Sequence, residues 1–413
     1  MKSLVLTLPI LFLILGLCSS VVGEEQPVYV NGLDKNGNPE GLKTLVLGDK
    51  APDFSLLGID GKTHSLADYS SSKVLMVMFT SNHCPTSHAI EKRLQQLRDD
   101  FRKESFSLVA INPNHPDGLN ITELGYGEFN DSFADMKPYA EKNGWDFPYL
   151  YDGDTQKVAR AYGCLATPHL FIFDAERTLR YAGRFDDSRY ATDDSVKSPD
   201  ARNALNDLFA GRPVAVPQTK PHGCSTKWRE KRAKHAVVEE SWAKIPVVVE
   251  RIDAQGVAAL RANTGENYRL VNVWATWCQP CVREFPDLVS ISRQYDMRNF
   301  EFISISIDEP AELENAQAFL LKNGAGLTPR KKALITKEGR TTSHYLFTGA
   351  SQEELASKLD TEWPGPVPHT VLIAPGGKIV WRHNGMVDPA ALRTAIVAEL
   401  KAYYQPAPVK PTP

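Results

Sequence analysis

The feature that most constrains this chain is that one pattern of elements runs through it twice. In the first half an apolar run at 74–79 leads to Cys84, then to a helical pattern at Ile90, Leu94, Leu97 and Phe101. Residues 107–111 read as the next strand. Helices are expected around Phe133, Met136 and Tyr139, and again between Asp154 and Tyr162. Thr167-Pro168-His169 then opens two strands, 170–173 and 179–181, joined by a turn at 174–178. A last helix starts at Asp200, expected as its N-cap, with Leu205 and Leu208 turned inward. The second half repeats the order. A strand at 270–275 ends at Cys278, and the next helix carries Phe285, Leu288 and Ile291. A buried strand follows at 300–307. Val367-Pro368-His369 leads into strands 371–373 and 379–381 around the turn 374–377. Asp388-Pro389 caps a helix with Leu392, Ile396 and Leu400 on one face. Pro168 and Pro368 lie 200 residues apart, and the cysteine-to-proline spacing is 84 residues in one half and 90 in the other. Duplication of one α/β unit accounts for this.

A length of 413 residues suits two or three domains, and a formal net charge of -3 provides no large basic field for nucleic acid or an anionic membrane. At the N-terminus, Lys2 precedes an apolar run at 4–17 and small residues ending at Gly23, which reads as a signal peptide over 1–23. The run is shorter than the ~20 residues of a spanning helix; a retained anchor is the alternative, and the only membrane contact expected. Cleavage near Gly23 removes Cys18 and leaves Cys84, Cys164, Cys224, Cys278 and Cys281. An odd count in an exported chain points to redox chemistry rather than to a stapled scaffold.

Trp277-Cys278-Gln279-Pro280-Cys281 stands between a buried strand and an amphipathic helix. Half of a zinc site would need a second pair of ligands, and neither a second C-x-x-C nor a spaced His pair is present. As a dithiol the motif has a mechanism. Unpaired N–H groups and the helix dipole favour a thiolate at Cys278, which attacks; Cys281, one turn on, resolves the mixed disulfide. No dissociable cofactor and no metal are required. Residues 273–286, with Glu284 and Pro286 after the second cysteine, resemble the TlpA/ResA branch of exported thioredoxin-like reductases, over roughly 245–403. That resemblance implies that Glu284 tunes the thiols, that Pro368 is the cis-proline beside them, and that the backbone before Pro368 holds an extended substrate. A solvated Glu284 and an ordinary trans Pro368 are the plain alternatives. Asn272 departs from the buried Asp common in thioredoxins, which bears on proton handling.

In the first half, Gly48-Asp-Lys-Ala-Pro-Asp-Phe54, Phe79-Thr-Ser-Asn-His-Cys-Pro85 and Gly223-Cys-Ser-Thr-Lys-Trp228 resemble redoxin domains of the peroxiredoxin-like kind, over roughly 45–228. Ser81 and Ser87 stand where partner cysteines are usual, which leaves Cys84 alone at a helix N-terminus. Val77 replaces the proline of the peroxiredoxin pattern. Cys164 reads as a small core residue or an accessory thiol near Pro168, and Cys224 as a resolving thiol. His83, Cys84 and His88 have the chemistry of a copper site, though surface histidines are commoner.

These readings combine into two tandem thioredoxin-like α/β domains, each a central mixed sheet flanked by helices. Domain 1 spans 45–212, a linker with Cys224 spans 213–244, domain 2 spans 245–403, and a Pro-rich tail occupies 404–413. The charged stretch 227–244 is expected as a solvated helix rather than a nucleic-acid patch. The expected function is thiol–disulfide exchange on protein clients in the periplasm or an equivalent space, fed by an upstream electron donor. A peroxidase using Cys84, or a first domain that only docks clients, are the rival readings. The riskiest expectation is that the second dithiol reduces a Cys84–Cys224 disulfide, with Cys84–Cys164 as the competing pair.

Overall fold

A computed structural model describes residues 32–405. The expected signal segment, Cys18 and most of the Pro-rich tail lie outside the described residues. Among the described residues no helix is long and apolar enough to cross a membrane.

The first half holds strands β1 (Ser55–Gly58), β2 (Thr63–Ser65), β3 (Val74–Phe79), β4 (Phe106–Asn112), β5 (Tyr149–Tyr151), β6 (Ala166–Thr167), β7 (His169–Phe173), β8 (Leu179–Gly183) and β9 (Cys224–Ser225). Its helices are α1 (Pro85–Asp100), α2 (Phe133–Lys142), α3 (Lys157–Tyr162) and α4 (Asp200–Phe209). Seven strands form one sheet in the order β2-β1-β5-β4-β3-β7-β8, and β6 pairs with β9 separately. The central strands β3, β4 and β5 run parallel, while β7 lies antiparallel to β3. Every residue of β3 is buried, because both faces of the sheet are covered. Val74, Met76 and Met78 join the core under α1, α2 and α4, and Leu75, Val77 and Phe79 join the core on the other face.

The second half follows α5 (Arg232–Ala243) and holds β10 (Glu250–Ile252), β11 (Tyr268–Trp274), β12 (Phe300–Ser306), β13 (His344–Phe347), β14 (His369–Ile373) and β15 (Ile379–Asn384). Its helices are α6 (Ala254–Ala262), α7 (Gln279–Gln294), α8 (Leu313–Lys322), α9 (Pro329–Thr336), α10 (Gln352–Leu359) and α11 (Pro389–Leu400). The sheet order is β10-β13-β12-β11-β14-β15, again parallel at the centre with β14 antiparallel to β11. Leu270 and Trp274 pack under α7, α8 and α11; Val271 and Val273 pack under α6 and α10. Both halves are mixed sheets flanked by helices, as the duplicated pattern requires. The predicted helix faces hold too: Ile90, Leu94, Leu97 and Phe101, then Phe285, Leu288 and Ile291, and finally Leu392, Ile396 and Leu400 all enter cores.

Two local readings need correction. Asp200 is the first helical residue and not the N-cap, which is Pro199. Its carboxylate is committed elsewhere, to Arg184 Nε at 2.7 Å and Ser198 Oγ at 2.8 Å. The stretch expected as a linker is of two kinds. Helix α5 buries no side chain, in keeping with a solvated connection. Residues 217–228, by contrast, fold back onto the first sheet. Thr219 N–H donates to Ala182 O at 3.0 Å, β9 pairs with β6, and the Trp228 ring is fully buried in the first core. Gly118 makes room for this return, since a Cβ there would sit 2.6 Å from the carbonyl oxygens of Lys227 and Trp228.

A fold that uses Trp228 as core predicts a large effect of removing it. Trp228→Ala should destabilise the first half by about 3–5 kcal/mol in urea unfolding. A cost under ~1 kcal/mol would show that 217–228 is a detachable linker after all.

Candidate active sites

In the second half Cys278 is the N-cap of α7, with Pro280 in its first turn. Cys278 and Cys281 form a disulfide with an S–S distance of 2.03 Å, and Cys278 Sγ accepts the Cys281 N–H at 3.3 Å. The open N–H groups and positive end of α7 therefore bear on the first sulfur, which favours its thiolate when the bond is reduced. Cys281 lies fully buried behind it, and the neighbouring Trp277 side chain is 64% exposed.

The turn carrying Cys278 is held by a residue that its own sequence neighbourhood does not reveal. Buried Asp308, just beyond β12, accepts the Thr276 N–H at 3.1 and 3.0 Å and the Thr276 hydroxyl at 2.7 Å. Ser306 Oγ donates to the same carboxylate at 2.6 Å. Pro368 follows a cis peptide, as the resemblance implies, and His369 after it pairs through Nδ1 with Asn384 Oδ1 at 2.7 Å, the amide oxygen accepting.

Glu284 is no solvated helix residue. It is buried on α7, one turn past Cys281, and its two oxygens accept Asn272 Nδ2–H at 3.0 Å and Val387 N–H at 2.8 Å. Burial pushes its carboxyl up to about 7, against the pull of those two donors. Asn272, at the place where the resemblance implies a buried acid, is an amide donor that orients Glu284.

In the first half Cys84 is the N-cap of α1, with Pro85 as the first helical residue. Ser87 occupies the place that Cys281 holds in the second half, and its buried hydroxyl has no hydrogen-bond partner. A second cysteine reaches Cys84 from β9. The β6–β9 pairing sets Cys224 opposite Thr167, immediately before cis-Pro168. Cys84 Sγ lies 2.9 Å from Thr167 O and accepts the Cys224 N–H at 3.4 Å. Burial opposes a Cys84 thiolate, but the Cys224 thiol, the charge of His83 and the N–H groups of Cys224 and Ser87 outweigh it and hold the thiol well below its usual range. Cys224 moves the other way, raised by its bond to Cys84 and by burial. Cys84 is the acidic member of the pair.

Asp131 repeats the part of Asp308. It accepts the Asn82 N–H at 2.8 Å, two residues before the cysteine, and also binds His83 Nδ1 at 2.6 Å and Asn114 Nδ2 at 2.7 Å. His83 Nε2 is buried without a partner. His88 is paired at Nδ1 with Glu91 at 3.0 Å. Cys164 takes no part. It is buried against Ala166 O and Thr226 Oγ1, both at 3.4 Å, and burial pushes its thiol up to about 12. Among the described residues no cluster of three or more His, Cys, Asp or Glu side chains is arranged to hold a metal ion.

Glu284 yields a pH prediction. Its value rises on folding from 4.5 to about 7, so the folded chain keeps a proton that the unfolded chain has lost. The stability this gives is intact below about pH 4.5 and disappears as pH rises through about 7. Glu284→Gln should therefore gain on the order of 2–3 kcal/mol over wild type at pH 8, and nothing near pH 4.5. Urea unfolding of the oxidised proteins across that range checks it; a difference independent of pH would rule the buried acid out.

Comparison with known proteins agrees with the duplicated architecture. The chain is similar to the thiol-disulfide oxidoreductase ResA of Geobacillus thermodenitrificans, 29% identical over 133 residues that make 32% of this chain and 66% of that relative. The chain thus spans just under two thirds of the relative's length. It is also similar to ResA of Halalkalibacterium halodurans, 27% identical over 33% of this chain and 64% of the relative. Among solved structures, an uncharacterized conserved protein from Geobacillus kaustophilus is 39% identical, covering 45% of this chain and 94% of that one with a TM-score of 0.40. The model of the AhpC/TSA family matches residues 47–182 and again residues 249–382. Matched once on each sheet and over more than half of its length, this chain belongs to the AhpC/TSA family.

Proposed function

We propose that the protein is an exported thiol–disulfide oxidoreductase that acts on protein disulfides, with Cys278 attacking and Cys281 resolving. The observation that carries this reading is the Cys278–Cys281 pair at the N-cap of α7, with the first sulfur on the Cys281 N–H and the second buried behind it. In the reduced enzyme the Cys278 thiolate attacks one sulfur of the client disulfide, and the client's other sulfur leaves as a thiolate. Cys281 then gives up its proton and attacks Cys278 Sγ, which releases the client as a dithiol. Glu284, one helical turn from Cys281 and titrating near neutrality, is the group suited to take that proton. The exposed Trp277 ring gives a client an apolar surface beside the reacting sulfur. Export is supported by the charged, apolar and small-residue order of residues 1–23.

A second reading, peroxide reduction at Cys84, is favoured by one observation: its acidic thiol beside the His83–Asp131 pair. Peroxide consumption that survives Cys278→Ser and is lost in Cys84→Ser would establish it.

For the main reading, Cys278→Ser should bring reduction of insulin and of glutathione disulfide down to the uncatalysed background. Cys281→Ser should accumulate mixed disulfides with its clients, seen as adducts that dithiothreitol dissolves. Wild-type turnover in Cys278→Ser would end the proposal.

A further inference from the structure

The two halves share a frame but differ at one edge. In the second half, among the described residues, no strand pairs with Val367 before Pro368. In the first half the equivalent Thr167 is paired, and its partner is the chain's own Cys224. The residues around Cys224 are built to stay there. Upstream, Thr219 is tied to Ala182, and its hydroxyl accepts the Arg184 N–H at 3.0 Å. Downstream, Thr226 N–H donates to Leu165 O at 3.3 Å, and the Lys227 N–H donates to Asn114 Oδ1 at 2.7 Å. The buried Lys227 ammonium pairs with Glu123, and Trp228 closes the segment into the core. Gly223 lets the strand approach so closely: a Cβ there would lie 2.1 Å from Thr167 O and 3.1 Å from Pro168 Cδ.

We propose that Cys84 and Cys224 form a second redox pair, in which the strap 217–228 lies across the first helix's thiol as a permanently tethered client strand and supplies the resolving sulfur that Ser87 does not. Exposure decides the direction of attack. Cys84 is fully buried under the strap and Cys224 only partly so. A thiolate from an external protein dithiol of the C-x-x-C class therefore attacks Cys224 Sγ of the oxidised pair. The Cys84–Cys224 bond breaks and Cys84 leaves as a thiolate, stabilised by the Ser87 and Cys224 N–H groups. The second thiol of the donor then attacks the donor sulfur of the mixed disulfide and frees Cys224, which takes up a proton. Two electrons and one proton pass from the donor, which enters as a thiolate and a thiol and becomes a disulfide, to the pair, where Cys84 stays a thiolate and Cys224 becomes the thiol. Run backwards, the same steps oxidise the pair at the expense of a protein disulfide.

The test uses the full chain with Cys278→Ser and Cys281→Ser, so that its outcome is independent of the proposed function of the second half. Three thiols then remain in the described structure: Cys84, Cys164 and Cys224. After equilibration in glutathione buffers, acid quenching, alkylation in denaturant and proteolysis, a Cys84–Cys224 linked peptide is expected, with Cys164 alkylated throughout. Adding Gly223→Ala changes neither thiol but lifts the strap. It should lower the equilibrium constant of the pair against glutathione at least tenfold, while circular dichroism reports an unchanged fold. If that variant fails to fold, Cys224→Ser serves in its place and should leave Cys84 reduced or glutathionylated, with no linked peptide. A Cys84–Cys164 peptide, or Cys224 alkylated at every oxidising poise, would overturn the proposal.

Discussion

Everything around Cys84 and Cys278 depends on one backbone pairing, made once in each sheet. In the first, β3 runs antiparallel to β7 with Phe79 opposite His169; in the second, β11 runs antiparallel to β14 with Val273 opposite His369. Each cysteine lies five residues beyond the end of that register, and each proline lies one residue before it. The pairing alone therefore brings residues 84 or 90 positions apart to the same end of a sheet. Continuous apolar strands buried on both faces make the register costly to slip, because a shift of one residue would exchange the two cores. Each cysteine is thereby set as the N-cap of the helix that must start at that point.

The sequence carried the pairing plainly and its reinforcements poorly. Strand period, helix faces and the spacing from cysteine to proline are local or repeated signals, and each survived in the fold. Asp131 and Asp308 could not be found that way. They reach the turns before Cys84 and Cys278 from 47 and 30 residues downstream, through hydrogen bonds to backbone N–H groups that leave no mark on residue type. Cys224 was legible as part of a motif, but β9 is only two residues long and sits after Pro213, Pro217 and Pro221, a composition that reads as linker. Glu284 and Asn272 illustrate the converse. Each was noticed alone, and only the fold shows that the amide orients the acid at 3.0 Å.

The halves also meet, and where they meet matters for the chemistry. Gln294, the last residue of α7, donates to Leu124 O at 3.0 Å and Gly127 O at 3.2 Å, and the Arg298 guanidinium stacks 3.9 Å over Tyr126. Tyr404 packs against Tyr126 and under Arg189, close enough to Cys224 and Cys84 to feel both thiols. The first centre thus faces the contact between the halves. Cys278 caps the other end of α7, about 24 Å from Gln294 at ~1.5 Å per residue.

Thiol–disulfide exchange needs sulfur in contact with sulfur. Gln294 and Arg298 lie at the end of α7 away from Cys278, and it is that end which docks onto the first half. In the first half the strap fills the edge just before Pro168 through the β6–β9 pairing. At the matching place in the second half, among the described residues, no strand pairs with Val367. The duplication has kept one frame and reversed its use. One copy sets Cys278 and Cys281 together at the start of α7, and the other lays a strand of its own, β9, beside the helix that Cys84 caps.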